Sequence, residues 1–472
     1  MKNKFLKTAL SALMFSTVIF SSCKKDTPIE PNPNATTYED DENGNITVTD
    51  KGEGTGNYTF TSDKVWILNG LVFVNDGQTL TIEPGALIKG KPGTGENASA
   101  LIVARGGKIN AVGTASKPII FTAEADNAEG TGVGADARGL WGGLILLGKA
   151  TTSNLTVDKA VEGIPTSETR GLYGGTNDAD NSGTLKYVSV RHGGTDIGEG
   201  NEINGLTLGA VGSGTTIDYI EIVANNDDGI EFFGGAVMVK HALIVKCKDD
   251  SYDYDEGFHG KGQFWATIQA ADSDRGGEHD GGPGDNETGT PYSKPEIYNA
   301  TYISAAGSGS RTFTLRDNAG VTYANSIFVN FDKGVDIEYL QDDQANMVDC
   351  SYKMFENGNV HIQNNVFYNV AGQTDGSSYD SYELFKISTP KDDQGNPLYE
   401  APQDKKDAWA SAFTGNTNKI SDPGISAANP VPSNPQTDDM ASYPSGFENV
   451  SYKGAFGSTN WAAGWTLTFF KN

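Results

Sequence analysis

Cysteine is scarce. Cys23, Cys247 and Cys350 are the only three in 472 residues, so no disulfide framework holds the fold together. Positive charge is short as well: 35 lysines and arginines stand against 61 aspartates and glutamates, a formal charge of −26. A deficit of that size argues against nucleic acid and against polyanionic ligands unless a cation intervenes. It fits either simple solubility or the binding of divalent cations. After the first twenty or so residues, no apolar run approaches the roughly 20 residues of a membrane-spanning helix. Long stretches of apolar residues at helical spacing are missing too. So are a nucleophilic triad, a phosphate loop, a paired CxxC metal site and an EF-hand calcium loop. The glycine-rich runs precede strands rather than helices, which excludes a dinucleotide site.

What is present begins at the N-terminus. Lys2, Lys4 and Lys7 precede an apolar stretch from Leu10 to Phe20, broken by Ser11, Ser16 and Thr17. It is too short to span a membrane and has the layout of a signal peptide over residues 1–22. The segment closes on Ser21-Ser22-Cys23, the small-residue context of lipoprotein processing, with Phe20 where leucine is usual. Cys23 is therefore the expected lipidated residue; ordinary secretion with an incidental Cys23 is the competing reading. Residues 23–45 then read as an extended tether, with Pro28, Pro31, Pro33 and the acidic run Glu39-Asp40-Asp41-Glu42. A lipid anchor of this kind predicts membrane attachment, and the charged segment soon after Cys23, which in part resembles the surface-export signals of Bacteroidetes lipoproteins, implies the outer membrane and the cell surface. Cys247 and Cys350 either pair with each other or serve as small core residues.

The body is glycine-rich, with 59 glycines, and is punctuated by short β-branched runs such as Leu80-Thr-Ile82, Leu101-Ile-Val103, Ile119-Ile-Phe121 and Leu144-Ile-Leu-Leu147. Each run is bounded by turn residues and reads as a short strand. A repeat runs beneath them. Ile222, Val223, Asp227, Asp228, Ile230 and Phe232 fall on Ile244, Val245, Asp249, Asp250, Tyr252 and Tyr254 at a constant offset of 22 residues. Phe313 and Leu315 fall on Val335 and Ile337 at the same offset. A small signature recurs as Gly205-Leu-Thr-Leu208, Gly229-Ile-Glu-Phe232 and Gly334-Val-Asp-Ile337. A period in the low twenties with two or three strands is one coil of a parallel β-helix; propeller blades are longer, and leucine-rich repeats carry another pattern.

The early coils also carry recognisable text. Thr79-Leu-Thr-Ile-Glu-Pro-Gly85, the glycine-bearing strand Ala100–Ile109, Lys117-Pro-Ile-Ile-Phe-Thr122 and Arg138-Gly-Leu-Trp-Gly-Gly143 resemble right-handed β-helix surface proteins. Tyr452-Lys-Gly-Ala-Phe-Gly457 and Trp461-Ala-Ala-Gly-Trp465 resemble the tail of a family of Bacteroidetes outer-membrane lipoproteins of the pectate-lyase-like type. The resemblance covers most of residues 58–472. It implies an all-β, single-stranded right-handed parallel β-helix and an envelope location, and it carries no activity. The solenoid is expected over residues 46–390, with residues 46–75 covering one open end. Residues 391–472 are expected as an irregular excursion that holds a short helix from Asp404 to Phe413. Thr466-Leu-Thr-Phe-Phe470 is expected as a last strand or cap, because an open solenoid end is an unpaired edge.

The densest polar constellation lies in the repeat. Stacked coils stand about 4.8 Å apart, which puts Asp227 over Asp249 and Asp228 over Asp250. Carboxylates so placed repel unless protonated or bridged by a cation, and calcium takes 6–8 oxygens. Asp227, Asp228, Asp249 and Asp250 are therefore candidate calcium ligands, with Asp253, Asp255 and Glu256 as neighbours. Turn aspartates capping their own backbone are the alternative. A catalytic reading uses Asp227, Asp249, Asp250 and His259, since paired carboxylates on a β-helix face suit a glycoside hydrolase. The histidine is poorly placed for it: Phe258-His-Gly-Lys-Gly262 comes too soon and no Arg-x-Lys follows. A polysaccharide lyase would need a base such as Lys261 or Arg275. In the loop Asp272–Thr290, the residues Asp274, Glu278, His279 and Asp280 form a second possible metal set; flexible exposure is the alternative. His192 reads as a turn residue. Trp141, Phe232, Phe233, Tyr252, Tyr254, Phe264 and Trp265 could form a sugar-stacking platform or fill the interior. Three functions remain open: a surface lipoprotein binding carbohydrate or a protein partner with calcium, a polysaccharide lyase or hydrolase, and a structural adhesin.

Overall fold

The computed structural model describes residues 32–155, 157–198, 201–283 and 288–469. The signal-peptide segment, Cys23 and the first part of the tether lie outside these residues. The strands form a parallel β-helix. Its first face is a sheet of ten parallel strands, from Leu71–Val74 to Phe385–Ser388, stacked in chain order. The second and third faces run through one larger sheet. There the long strands Thr216–Val223, Met238–Val245 and Lys261–Ile268 each bend at one residue of positive φ, namely Tyr219, His241 and Phe264. Bulky residues strain in that region. Stacking offsets the cost, with ring centroids 4.5 Å apart for Tyr187–Tyr219, 4.2 Å for Tyr219–His241 and 4.7 Å for His241–Phe264. Later coils use Asn299, Asn325 and Asn364 at the bend, a side chain that tolerates it better.

The repeat read in the sequence is the register of the coils. Ile222 pairs with Ile244, Ile230 with Tyr252, Phe232 with Tyr254, Phe313 with Val335 and Leu315 with Ile337. Their side chains form internal columns, and all ten are buried. One coil alone has no partner for that surface, so stability accrues by stacking. The glycine opening each signature strand has a steric cause. A Cβ on Gly229 would lie 2.6 Å from the Ser251 carbonyl oxygen, and one on Gly334 would lie 2.0 Å from that of Leu384. Trp141, Phe232, Tyr252, Tyr254 and Trp265 fill the interior, with Tyr252 stacked on Trp265 at 4.4 Å. Phe264 and Phe233 are covered from outside. These seven aromatics are packing residues and offer no open platform.

Both ends are closed. Thr37–Asp40 pairs antiparallel with Asn45–Thr49, which joins Val65–Leu68 in parallel. The extended tether expected over 23–45 thus gives way to a strand by Thr37. The acidic run supplies the turn, where the Asp41 carboxylate accepts the amides of Asn43 and Asn45. At the other end the helix Gln403–Gly415 buries Trp409 and Phe413 against Phe385. Lys419–Ile420 then adds one more parallel strand. The chain next doubles back along the second and third faces. Thr466–Phe469 forms no strand and caps no end. It lies on the flank, where the buried Glu221 carboxylate accepts the amides of Leu467 and Thr468. Cys247 and Cys350 are both buried and free.

One excursion positions the site. Residues 148–182 leave the first face after Leu144–Leu147 and lay Val161, Ile164 and Tyr173 over its outer side. The strands beneath, including Ile145 and Leu147, are apolar on both sides, as burial from both sides requires.

A candidate acidic site on the first face

Beyond the covered part, the outer side of the first face turns polar. Strand alternation sends Thr207, Glu231, Asp253 and Glu278 outward in one cross-strand row. The turn before each strand adds a second row. Asn204 Oδ1 accepts the Asp228 amide at 3.2 Å, Asp228 Oδ1 that of Asp250 at 2.8 Å, and Asp250 Oδ1 that of Arg275 at 2.7 Å. These three side chains are buried, and they cap the backbone of the next coil rather than their own.

The two rows converge. Oxygens of Asp227, Asp228 and Asp249 lie within 4.8 Å of one another, as do those of Asp228, Glu231 and Asp253, and those of Asp249, Asp250 and Asp274. Glu162 reaches in from the excursion. Asn204 Nδ2 donates to Glu162 Oε1 at 2.9 Å and to Glu231. Glu162 and Glu231 share the Asn204 amide, which brings the two carboxyls close enough for one proton between them to relieve their repulsion. Burial, then the charges of Glu162, Glu202 and Asp249, pushes Asp227 up to about 7. Burial first and like charges second also raise Asp228, Glu231 and Asp253. Among the described residues no ion pair involves Glu162, Asp227, Asp228, Glu231 or Asp253.

One coil further on, the charges are balanced. Arg275 stands 3.2 Å from Asp250, 3.2 Å from Asp274 and 2.9 Å from Glu278. Arg316 stands 3.1 Å from Glu278 and 2.7 Å from Asp280. The metal set of Asp274, Glu278, His279 and Asp280 therefore does not assemble. Part of the expected loop is the strand Gly277–Asp280, whose alternation turns His279 into the interior. There it stacks on Tyr254 at 4.1 Å and meets the Tyr323 hydroxyl at 3.0 Å. Burial holds its imidazole down at about 3, so it is neutral.

Other candidates stand apart. His259 lies beyond the far end of the strand Tyr252–Asp255, with Nδ1 2.7 Å from the Gly257 carbonyl and Nε2 3.2 Å from Asp178. Glu256 is at that far end too, bound by Lys159 and by the Tyr173 hydroxyl. Asp255 projects outward two residues past Asp253. Lys261 pairs with Glu296, and Arg275 is held among its three carboxylates. His192 is a buried turn residue with Nδ1 at 2.7 Å from the Ala137 carbonyl.

Sequence reasoning did not single out Glu162, Asn204 or Glu231. Glu231 had a signal, as the polar middle residue of the glycine-led signature. Asn204 and Glu162 had none, because one sits at an irregular offset and the other on a segment without a repeat.

Three parallel faces, a packed interior and an acid-lined outer side define an all-β parallel β-helix. The chain belongs to the pectate-lyase-like β-helix domain family, whose model matches residues 52–414. No curated protein and no solved structure matches it.

Proposed function

We propose that this protein is a lipid-anchored surface component of a Bacteroidetes outer membrane, tethered through Cys23, whose acidic face holds calcium and binds carbohydrate. The observation that carries the reading is a cluster of carboxylates, Asp228 and Glu231 buried, Glu162, Asp227 and Asp253 half-buried and Asp249 at the open edge, in which no cationic side chain among the described residues pairs with Asp227, Asp228 or Glu231. The charges acting most strongly on Asp227, Asp228 and Glu231 are all other carboxylates. Two oxygens on opposite sides of a calcium ion at about 2.4 Å are about 4.8 Å apart, the scale on which Asp227, Asp228 and Asp249 approach one another. A calcium ion held there leaves positions for sugar hydroxyls, and it reconciles an acidic face with acidic ligands.

Metal analysis after gentle purification, and a thermal melt with and without calcium, test the cation. Bound calcium and a melting rise that disappears in Asp227→Asn/Asp249→Asn are expected. Metal-free protein with an unmoved melt would remove the cation. A glycan array with and without chelator tests the ligand, and binding that ignores the chelator would separate the two.

A second reading rests on Glu162 and Glu231, brought together on the Asn204 amide, and on Asp227. A carboxyl kept protonated beside an ionisable one is the arrangement general acid–base hydrolysis needs. New reducing ends that vanish in Glu231→Gln would favour a glycoside hydrolase over a binding protein, and unsaturated products would favour a lyase.

A further inference from the structure

Away from the acidic face, the returning C-terminal segment forms a cleft of about 430 Å³ against itself, with Pro432, Pro435, Gln436, Thr437, Lys453 and Phe456 in its wall. That volume suits a sugar-sized molecule. Lys453 is 0 % exposed, and no other lysine among the described residues is buried. Among the described residues its Nζ has no hydrogen-bond partner and makes no ion pair. The charged groups that act on it do not satisfy it. Lys419 is bound to Asp438, and Asp439 acts on Lys453 more weakly than Lys419 does. A buried ammonium without an acceptor is costly, and a methionine of similar length would avoid that cost. The chain nonetheless keeps an amine here, in a protein where acidic partners are abundant.

We propose that this cleft binds a small carboxylate whose oxygens accept hydrogen bonds from the Lys453 ammonium. The proline and phenylalanine side chains supply the apolar wall, and Gln436 and Thr437 supply polar groups at its edge. The four-carbon lysine stem lets the head group swing to meet a ligand. Burial, then Lys419, holds the free amine down to about 8, with Asp438 and Asp439 opposing. A carboxylate prefers the charged amine, so its affinity should fall as pH rises through that value.

The test uses the whole protein, freed of metal by chelator so that no cation on the acidic face contributes. D-gluconate and D-glucitol are compared, a pair differing at one carbon as carboxylate or alcohol. Gluconate is expected to bind wild type, detected by saturation-transfer NMR, and glucitol is expected to bind at least tenfold more weakly. Gluconate affinity should drop about tenfold between pH 7 and pH 9. Lys453→Met should lose the preference while melting no lower than wild type, because it removes an unpaired buried charge. Equal binding of the two polyols, gluconate binding retained in Lys453→Met, or a variant that melts well below wild type would each overturn the proposal. The last outcome would show that the amine already has a partner within the fold.

Discussion

The outer side of the first face has two ends built from the same residue types with opposite electrostatics. At one end Asp250, Glu278 and Asp280 are buried or half-buried, and Arg275 and Arg316 hold them at 2.7–3.2 Å. At the other, Glu162, Asp227, Asp228, Glu231 and Asp253 crowd together with no such partner among the described residues. The strands are neighbours in one sheet, and the coil geometry is the same. What differs is whether the following coil contributes an arginine. Acidic residues alone therefore do not mark a site on this scaffold. The informative feature is the coil where the counter-charge is missing.

The largest expected effect tests the balanced end. Arg275→Met should destabilise the protein by about 3–5 kcal/mol in denaturant titration, since it leaves Asp250 buried without its cation and Glu278 with Arg316 alone. A loss below about 1 kcal/mol would mean that the two ends differ less than their geometry implies. The next test is pH. At the unbalanced end the folded-state carboxyls titrate above their unfolded values, so the folded state binds more protons between the two. Metal-free protein should lose on the order of 2–4 kcal/mol as pH rises from about 4 to 7 through Asp227, and should go on losing stability above that as Asp228, Glu231 and Asp253 ionise. Calcium should flatten the profile, and a profile that is flat without metal would erase the comparison. Glu231→Gln should then stabilise metal-free protein by about 1–2 kcal/mol at pH 8 by relieving like-charge repulsion, while weakening calcium binding. Destabilisation at pH 8 would show that the ionised form is satisfied within the fold. The smallest effect belongs to exposed Asp274. Asp274→Asn should change stability by no more than about 0.5 kcal/mol, and a larger loss would place Asp274 inside the balanced network.

Much of this architecture was legible from the text because a β-helix writes its geometry as an offset. Ile222 over Ile244 and Phe232 over Tyr254 follow from a fixed coil length and need no folding calculation. The same offset placed Asp228 over Asp250, and the side chain of one caps the backbone amide of the other. The offset fails where coils carry insertions. Glu162 lies some seventy residues before Glu231, on a segment that repeats nothing, and only its packing brings the two carboxyls together. His279 was misjudged for a related reason. Its surroundings of Asp, Glu and Gly read as a loop, but four of those residues complete a ladder between neighbouring coils and point the imidazole inward.

By itself the sequence determined the fold class, the coil register and the columns that fill the interior, because each depends on a period that local spacing records. Only the tertiary structure decided which carboxylates have counter-ions, where the C-terminal segment lies, and that Lys453 is buried without an acceptor. Charge balance and burial are set by what surrounds a side chain in three dimensions, and those surroundings come from parts of the chain that share no period with it.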